Sequence, residues 1–322
     1  MSSGNPPDSS TRPAYSIVIP CYNSSATIGE LFVLLGETFE RMGSSYEILA
    51  IDDASTDGLT WQAIIAAAGT RPVRAFQLTR NFGRTAAVLC GLKYARGDSI
   101  IIMDDDLQHR PEDIPKLAEQ REHDAVVADF PIGERHHSLS QRLTSWLRDR
   151  FDTRILGKPR HIRMSPFIII KAQIARMMLQ SYPQHPYLPA LLLHVTRDIV
   201  SVRARHAPRK AGQSSFSFRR RLAMFSNLIF NNSAILLRAM AVSGAVFAGL
   251  AILAVCCLLV VGLFPARHVR GWTTVALIEI FMGGSILLSL GIIGEYVARL
   301  IQLGEHRPTY FVRTSFENRQ GP

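Results

Sequence analysis

Disulfide chemistry has little to work with in this chain. Its 322 residues hold four cysteines, Cys21, Cys90, Cys256 and Cys257. None forms a Cys-x-x-Cys pair or a zinc spacing, and the adjacent pair lies inside an apolar run. This argues for a reducing compartment and against a disulfide framework. The charged start and apolar core of a signal peptide are missing as well. Residues 1–14 are instead rich in Ser, Pro and Gly, read as disordered, and leave the first part of the chain in the cytoplasm. No Gly-x-Gly-x-x-Gly comes after the first apolar run, which argues against a dinucleotide-binding dehydrogenase. No internal repeat occurs beyond an alternation of strand and helix. Acidic residues are outnumbered, 26 against 36 Lys and Arg, for a net charge of +10. That balance suits nucleic acid, anionic lipid or phosphorylated partners. No nucleic-acid recognition motif accompanies it, and the cations gather beside apolar runs, so nucleic acid is excluded as the partner.

Long apolar runs are present. Hydrophobic residues make up 47% of the chain, high for a soluble protein, and part of it is expected in lipid. Residues 240–264 carry no charge over about 25 positions, enough to cross a bilayer, and residues 272–293 form a second run of about 22. Arg267-His-Val-Arg270 is the short loop between them. Trp272 suits an interfacial anchor. Glu279, the one acid in the second run, belongs near that interface or between the subunits of a homo-oligomer. Two spans return the chain to its starting side. Arg219 to Arg221, Arg238, Arg299 and Arg307 outnumber the two arginines of the loop, which places both ends in the cytoplasm.

The first 200 residues read as α/β. Tyr15 to Ile19 is a strand stopped by Pro20, and residues 26–42 space their apolar side chains as an amphipathic helix. Strands come next at 46–51, 73–78, 99–103 and 125–128, with helices at 57–68, 85–95 and 111–122. Further along, a strand is expected at 162–170, a helix at 172–180, a proline-rich turn at 183–189 and an edge strand at 199–205. Short gaps between alternating elements predict a mixed, mostly parallel sheet with flanking helices, a Rossmann-like arrangement. Parallel strands would bring Tyr22-Asn23, Asp52-Asp53 and Asp104 to Asp106 to one rim, where open α/β sheets bind ligands.

The stretch Ile100-Ile-Met-Asp-Asp-Asp-Leu-Gln-His109 carries the strongest chemical signal. A buried strand runs into three carboxylates, whose repulsion a divalent cation with a phosphate ligand would neutralise. Asp104 and Asp106 would supply oxygens, and an extended chain would point Asp105 elsewhere. The plainer reading is a solvated acidic loop or a helix cap ahead of Pro111. A second acidic pair on the same rim, near a Tyr, favours a nucleotide-sugar site. Pro20, Tyr22 and Asp52/Asp53 would offer the slot for base and ribose. Downstream, Arg135 precedes His136-His137, a pair with no third ligand nearby and so better suited to a phosphate-facing loop than to a metal. Residues 138–152 are basic and amphipathic. Arg209-Lys-Ala-Gly-Gln-Ser214 combines cations, a Gly and hydroxyls, good phosphate chemistry. Residues 219–229 make a basic amphipathic helix for an anionic interface.

Ile19-Pro-Cys-Tyr-Asn23, Ile51-Asp-Asp-Ala-Ser55, Arg80-Asn-Phe-Gly83 and Met103-Asp-Asp-Asp-Leu-Gln108 resemble, in order and spacing, the motifs of family 2 glycosyltransferases with a GT-A fold. Within that family the chain is most similar to the polyprenyl-phosphate glycosyltransferases, a group with dolichyl-phosphate mannose synthase, bactoprenol glucosyltransferases and undecaprenyl-phosphate aminoarabinose transferase. Arg209-x-x-Gly-x-Ser214 resembles their acceptor loop, and Gly294-Glu-Tyr with Arg307-Pro-x-Tyr310 resembles the tail of two-span bacterial members. The resemblance implies an inverting transferase. A nucleotide sugar, UDP- or GDP-linked, would bind through Pro20, Tyr22, Asn23, Asp52, Asp53, Arg80, Asp105 and Gln108. Asp104 and Asp106 would bind Mg2+ or Mn2+ and the diphosphate. Arg135, Arg209, Lys210 and Ser214 would hold a polyprenyl phosphate acceptor. Relatives often carry Glu where Ser24 stands and a small residue where Asp105 stands. Met164-Ser-Pro-Phe167 lacks an acid many relatives carry, so no base is assigned there.

The chain is accordingly divided into a disordered 1–14, a cytoplasmic GT-A domain over 15–215, an amphipathic juxtamembrane helix over 216–234, transmembrane helices over 235–264 and 272–300 around a loop at 265–271, and a cytoplasmic tail over 301–322. This makes a multi-pass inner-membrane protein in contact with membrane lipids. The competing reading is a non-catalytic membrane scaffold with a degenerate nucleotide-sugar fold. Asp106→Asn is expected to abolish sugar transfer to undecaprenyl phosphate while leaving membrane insertion intact; transfer at the normal rate would refute the metal assignment.

Overall fold

In a computed structural model of the chain, the residues described are 12–130, 153, 157–159, 162–180, 187–205 and 308–318, with single residues and short runs between 242 and 297. The chain divides into two units, one of residues 1–215 and 308–322, the other of residues 216–307.

The first unit is built on an eight-stranded sheet. Its elements in chain order are β1 (Tyr15–Cys21), α1 (Ile28–Met42), β2 (Tyr46–Asp52), α2 (Thr60–Ala68), β3 (Val73–Leu78), α3 (Arg84–Tyr94) and β4 (Ser99–Ile102). Next come a single 3-10 turn (Pro111–Asp113), α4 (Ile114–Ala118), β5 (Ala125–Asp129), β6 (Ile168–Lys171), α5 (Ala172–Gln180), α6 (Leu188–Val195), β7 (Ile199–Arg203) and β8 (Val312–Glu317). The strand order is β7-β5-β6-β4-β1-β2-β3-β8. β1 is parallel to both β2 and β4, β2 to β3, and β5 to β7, while β6 and β8 run antiparallel to their neighbours. The expected mixed, mostly parallel α/β sheet is what forms.

The near-continuous apolar strands result from this topology, because a sheet covered on both faces buries both parities of every central strand. Ile17, Ile19, Ile48, Ala50, Ile101 and Met103 pack with Phe32, Leu35 and Phe39 of α1 on one face. Val18, Leu49, Ile51, Ile100 and Ile102 pack with Val88, Leu89 and Leu92 of α3 on the other. Successive residues alternate faces because the strand repeat is two.

Several elements differ from the sequence expectation, mostly at prolines. Pro20 does not stop β1; it is buried inside it and pairs with Ile51, giving up only its own N–H. The strand expected over 162–170 begins only at Ile168, because Pro166 interrupts it and Phe167 N turns back to donate to Ser165 Oγ at 3.1 Å. The helix expected to Glu122 ends at Ala118 and starts through a separate 3-10 turn. The proline-rich turn expected to residue 189 gives way to α6, in whose first turn Pro189 is tolerated, since that N–H has no helical partner. The tail contributes a strand at 312–317, which belongs to the first unit's sheet.

The expected membrane helices fall largely outside the described residues. Among those described, no helix is long and apolar enough to cross a membrane. Val275, Ile278, Met282, Ile286, Leu290, Ile293 and Val297 are described; all are helical and exposed, and they recur every three or four positions.

At the rim where the parallel strands begin, polar groups are buried and satisfied. Glu47, 5% exposed, accepts from Ser16 Oγ at 2.6 Å, Arg96 N at 2.7 Å and Arg74 Nη1 at 3.1 Å. Gly97 N donates to Ser16 Oγ at 2.8 Å, so close that a Cβ on Gly97 would lie 2.7 Å from the backbone of Tyr15 and Ser16. Gly97→Ala is therefore expected to destabilise the fold by about 1–3 kcal/mol, because the backbone itself must move. Thermal unfolding beside the wild type checks this, and an unchanged midpoint would contradict it.

Candidate active site

The opposite rim carries the chemistry. β1, β2, β3 and β4 all end there, and the loops after them meet through side chains rather than through a metal-like cluster. Among the described residues, no group of three or more His, Cys, Asp or Glu stands close enough to hold an ion.

The acid loop after β4 is turned, not extended, with Leu107 in the left-handed region at φ 59°. Each carboxylate takes a different partner. Asp104 Oδ1 accepts from Arg84 Nε at 2.6 Å, while Asp104 N donates to His109 Nδ1 at 3.1 Å. Asp105 Oδ2 accepts from Tyr22 N at 3.2 Å and from the Ser24 hydroxyl. Asp106 Oδ1 accepts from Gln108 N at 3.2 Å. Burial pushes the Asp105 carboxyl up to about 6, against the pull of these donors. Ser24 and Asp105, two of the positions expected to depart from the family pattern, are thus hydrogen-bonded to each other, and the acid loop reaches back to the loop after β1.

The loop after β2 is largely self-supporting. Asp52, fully buried, accepts from Ser55 N at 2.9 Å, Ser55 Oγ at 2.6 Å and Gln77 Nε2 at 2.9 Å. Its carboxylate braces the loop from within. Asn23, at φ 55°, likewise uses its side-chain oxygen on Thr56 N at 2.8 Å and Asp57 N at 3.2 Å. Asp53 accepts from Phe82 N and Gly83 N, both at 2.8 Å, which ties the loop after β2 to the loop after β3. Tyr22 is 45% exposed and Arg80 is exposed, with its guanidinium 4.8 Å from the centre of the Phe82 ring. Of the expected donor-site residues, Tyr22, Arg80, Asp104, Asp105, Asp106 and Gln108 line this rim at least partly open to solvent, whereas Pro20, Asp52 and Asp53 are buried beneath it. The expected acceptor residues Arg135, Arg209, Lys210 and Ser214 lie outside the described residues.

Two residues escaped the sequence reading. Arg84 is the first residue of α3, where a cation opposes the helix dipole; the ion pair with Asp104 offsets that, and Arg84 Nη2 also reaches Pro166 O at 3.3 Å. A lone cation opening a helix on the acidic rim was the available signal. His109, 4% exposed, stacks between Phe130 and Phe167 at 5.6 and 5.4 Å. Accepting at Nδ1, it buttresses the acid loop from below; only the fold brings those rings to it.

Carboxylates and cations gathered at the carboxyl ends of parallel strands define the ligand-binding rim of an α/β protein, and comparison with known proteins says of which kind. The profile of glycosyl transferase family 2 matches residues 16–178, and the chain belongs to that family. It is similar to the undecaprenyl-phosphate 4-deoxy-4-formamido-L-arabinose transferase of Edwardsiella ictaluri (strain 93-146), at 29% identity over 304 residues, covering 92% of this chain and 93% of that protein. Among solved structures it resembles M. tuberculosis glucosyl-3-phosphoglycerate synthase at 17% identity and a TM-score of 0.48, over 68% of this chain and 78% of that one. S. aureus TarS 1-349 matches at 16% identity and 0.39, over 58% and 57%. The protein is a glycosyltransferase, and the scaffold reading falls.

Asp53 makes a test of the site's electrostatics. Burial, ahead of its two backbone donors, pushes its carboxyl up to about 6. In the unfolded chain it titrates at about 3.9, so the folded form holds its proton to higher pH; the stability it contributes is full below about pH 4 and is lost as pH rises through about 6. Asp53→Asn is expected to flatten the fall in unfolding temperature across that window. A slope equal to that of the wild type would contradict the assignment.

Proposed function

We propose that this enzyme moves a sugar from a nucleotide-sugar donor, UDP- or GDP-linked, to polyprenyl phosphate at a membrane, with inversion at the anomeric carbon. The observation that carries the reading is the breadth of the likeness to a transferase named for undecaprenyl phosphate, which reaches past the α/β unit through the apolar residues 216–307. In this reading the α/β unit stands on the cytoplasmic side, and residues 235–264 and 272–300 lie in the bilayer.

Asp104 and Asp106 are the residues that would hold a divalent cation. The fit is chemical: hard carboxylate oxygens, only two of them, suit Mg2+ or Mn2+, which fill their remaining positions with water and phosphate oxygens. Such an ion supplies Lewis-acid stabilisation of the leaving diphosphate. The chain's own residues do the rest. Tyr22 and Arg80 face the nucleotide, Arg84 adds a cation where diphosphate charge develops, and the tie from Ser24 to Asp105 keeps the loops after β1 and β4 in register. Arg135, Arg209, Lys210 and Ser214 hold the acceptor phosphate and offset its repulsion from the donor. That phosphate is largely ionised at neutral pH, with a second pKa of about 6, and needs no general base to attack.

The reading is tested by incubating membranes that contain the enzyme with undecaprenyl phosphate and a panel of radiolabelled UDP- and GDP-sugars. One donor is expected to label the lipid fraction, with labelling lost on chelation and restored by Mg2+ or Mn2+. No labelling from any donor, with enzyme and lipid both present, would overturn it.

A further inference from the structure

The sheet's outer edge is closed by residues that arrive last in sequence. β8 pairs antiparallel with β3, and the register shifts between Gln77 and Leu78, where the strand gives way to the donor-site loop. The residues just before and within β8 then hold that loop. Thr79 N donates to Phe311 O at 2.9 Å, and Arg313 Nη2 donates to Thr79 O at 3.0 Å, so both backbone groups of Thr79 are taken up by the tail. The Phe311 ring lies 6.2 Å from that of Phe82, tilted by 46°. Phe82 in turn carries the Arg80 guanidinium. Tyr310 is hydrogen-bonded with the Cys90 thiol of α3, the helix that Arg84 opens. Phe311 is 53% exposed, an open position for a large apolar ring.

The loop from Thr79 to Gly83 is therefore clamped between two supports. Asp53 holds its far end through Phe82 N and Gly83 N, and the tail holds its near end through Thr79. We infer that the tail is a working part of the donor site: Phe311 and Arg313 are positioning residues that fix the loop so that Arg80 is presented to a nucleoside diphosphate. The apolar unit precedes this tail in the chain, so the segment that leaves it also completes the nucleotide site. The inference rests on the nucleotide-sugar reading, and it adds residues that no motif for the donor contains.

The test uses the full-length chain in detergent and titrates UDP and GDP separately by calorimetry. Phe311→Ala and Arg313→Ala are each expected to raise the Kd of the nucleotide that binds by about fivefold, the scale of one aromatic or hydrogen-bonded contact. Phe311→Tyr, which keeps the ring, restores the wild-type value. Glu317→Gln, which weakens the pairs to Arg96 and Arg74 at the other end of β8, leaves it unchanged. In turnover the two loop-facing variants raise the donor KM and keep kcat at saturation. An unchanged Kd in Arg313→Ala and in any folded Phe311→Ala overturns the inference, and so does an equal rise in Glu317→Gln, which would mark a general loosening of the edge. If Phe311→Ala does not fold, Arg313→Ala decides alone. Nucleotide binding does not involve the acceptor. A wild-type chain that binds nucleotide and transfers nothing to undecaprenyl phosphate would sink the acceptor reading and leave this result readable.

Discussion

Three carboxylates in a row at the end of one strand repel one another, and the rim of this protein is arranged around that fact. Each acid is given its own partner. Arg84 comes from the first turn of α3, Ser24 and the backbone of Tyr22 from the loop after β1, and the backbone of Gln108 from the acid loop itself. Repulsion that would splay the loop becomes the means of tying three loops together. The same contacts leave Asp104 and Asp106 at the surface, partly open to solvent. The rim thus holds its charges in a fixed arrangement, with opposite charge and backbone donors set against each acid.

Support for that rim comes from beneath and from the side. His109 between two phenylalanine rings gives the acid loop a rigid floor, with its Nδ1 engaged by the backbone of Asp104. Asp52 and Asn23 turn their side chains to loop backbone, and Asp53 commits both oxygens to the loop that carries Arg80. The polar residues of these loops thus divide into those whose side chains are open to solvent and those whose side chains are spent on loop backbone. Asp52 and Asp53 lie buried beneath the rim with their carboxylates engaged by loop donors, while Asn23, at the surface, turns its side-chain oxygen to the loop after β2.

Ser24 and Asp105 lie 81 positions apart in the chain and are hydrogen-bonded to each other across two loops. Neither residue announces the other in the linear chain. The contact becomes intelligible once the parallel pairing of β1 with β4 sets the two loops side by side.

Much of this was legible in the linear chain. Apolar runs of strand length alternating with amphipathic helices dictate a mostly parallel sheet, and parallel strands must put their carboxyl ends, with Tyr22, Asp53 and Asp104 to Asp106, on one rim. Order and spacing of the four motifs led to the transferase family. The tertiary structure alone decided which acids face out and which are engaged below, that Arg84 pairs with Asp104, that His109 is a prop, and that β8 returns to the edge of β3 across more than two hundred residues. Local periodicity reports which face of an element is apolar; it carries no information on which distant loop will supply a charge or a hydrogen bond, because that depends on the crossing of strands far apart in sequence.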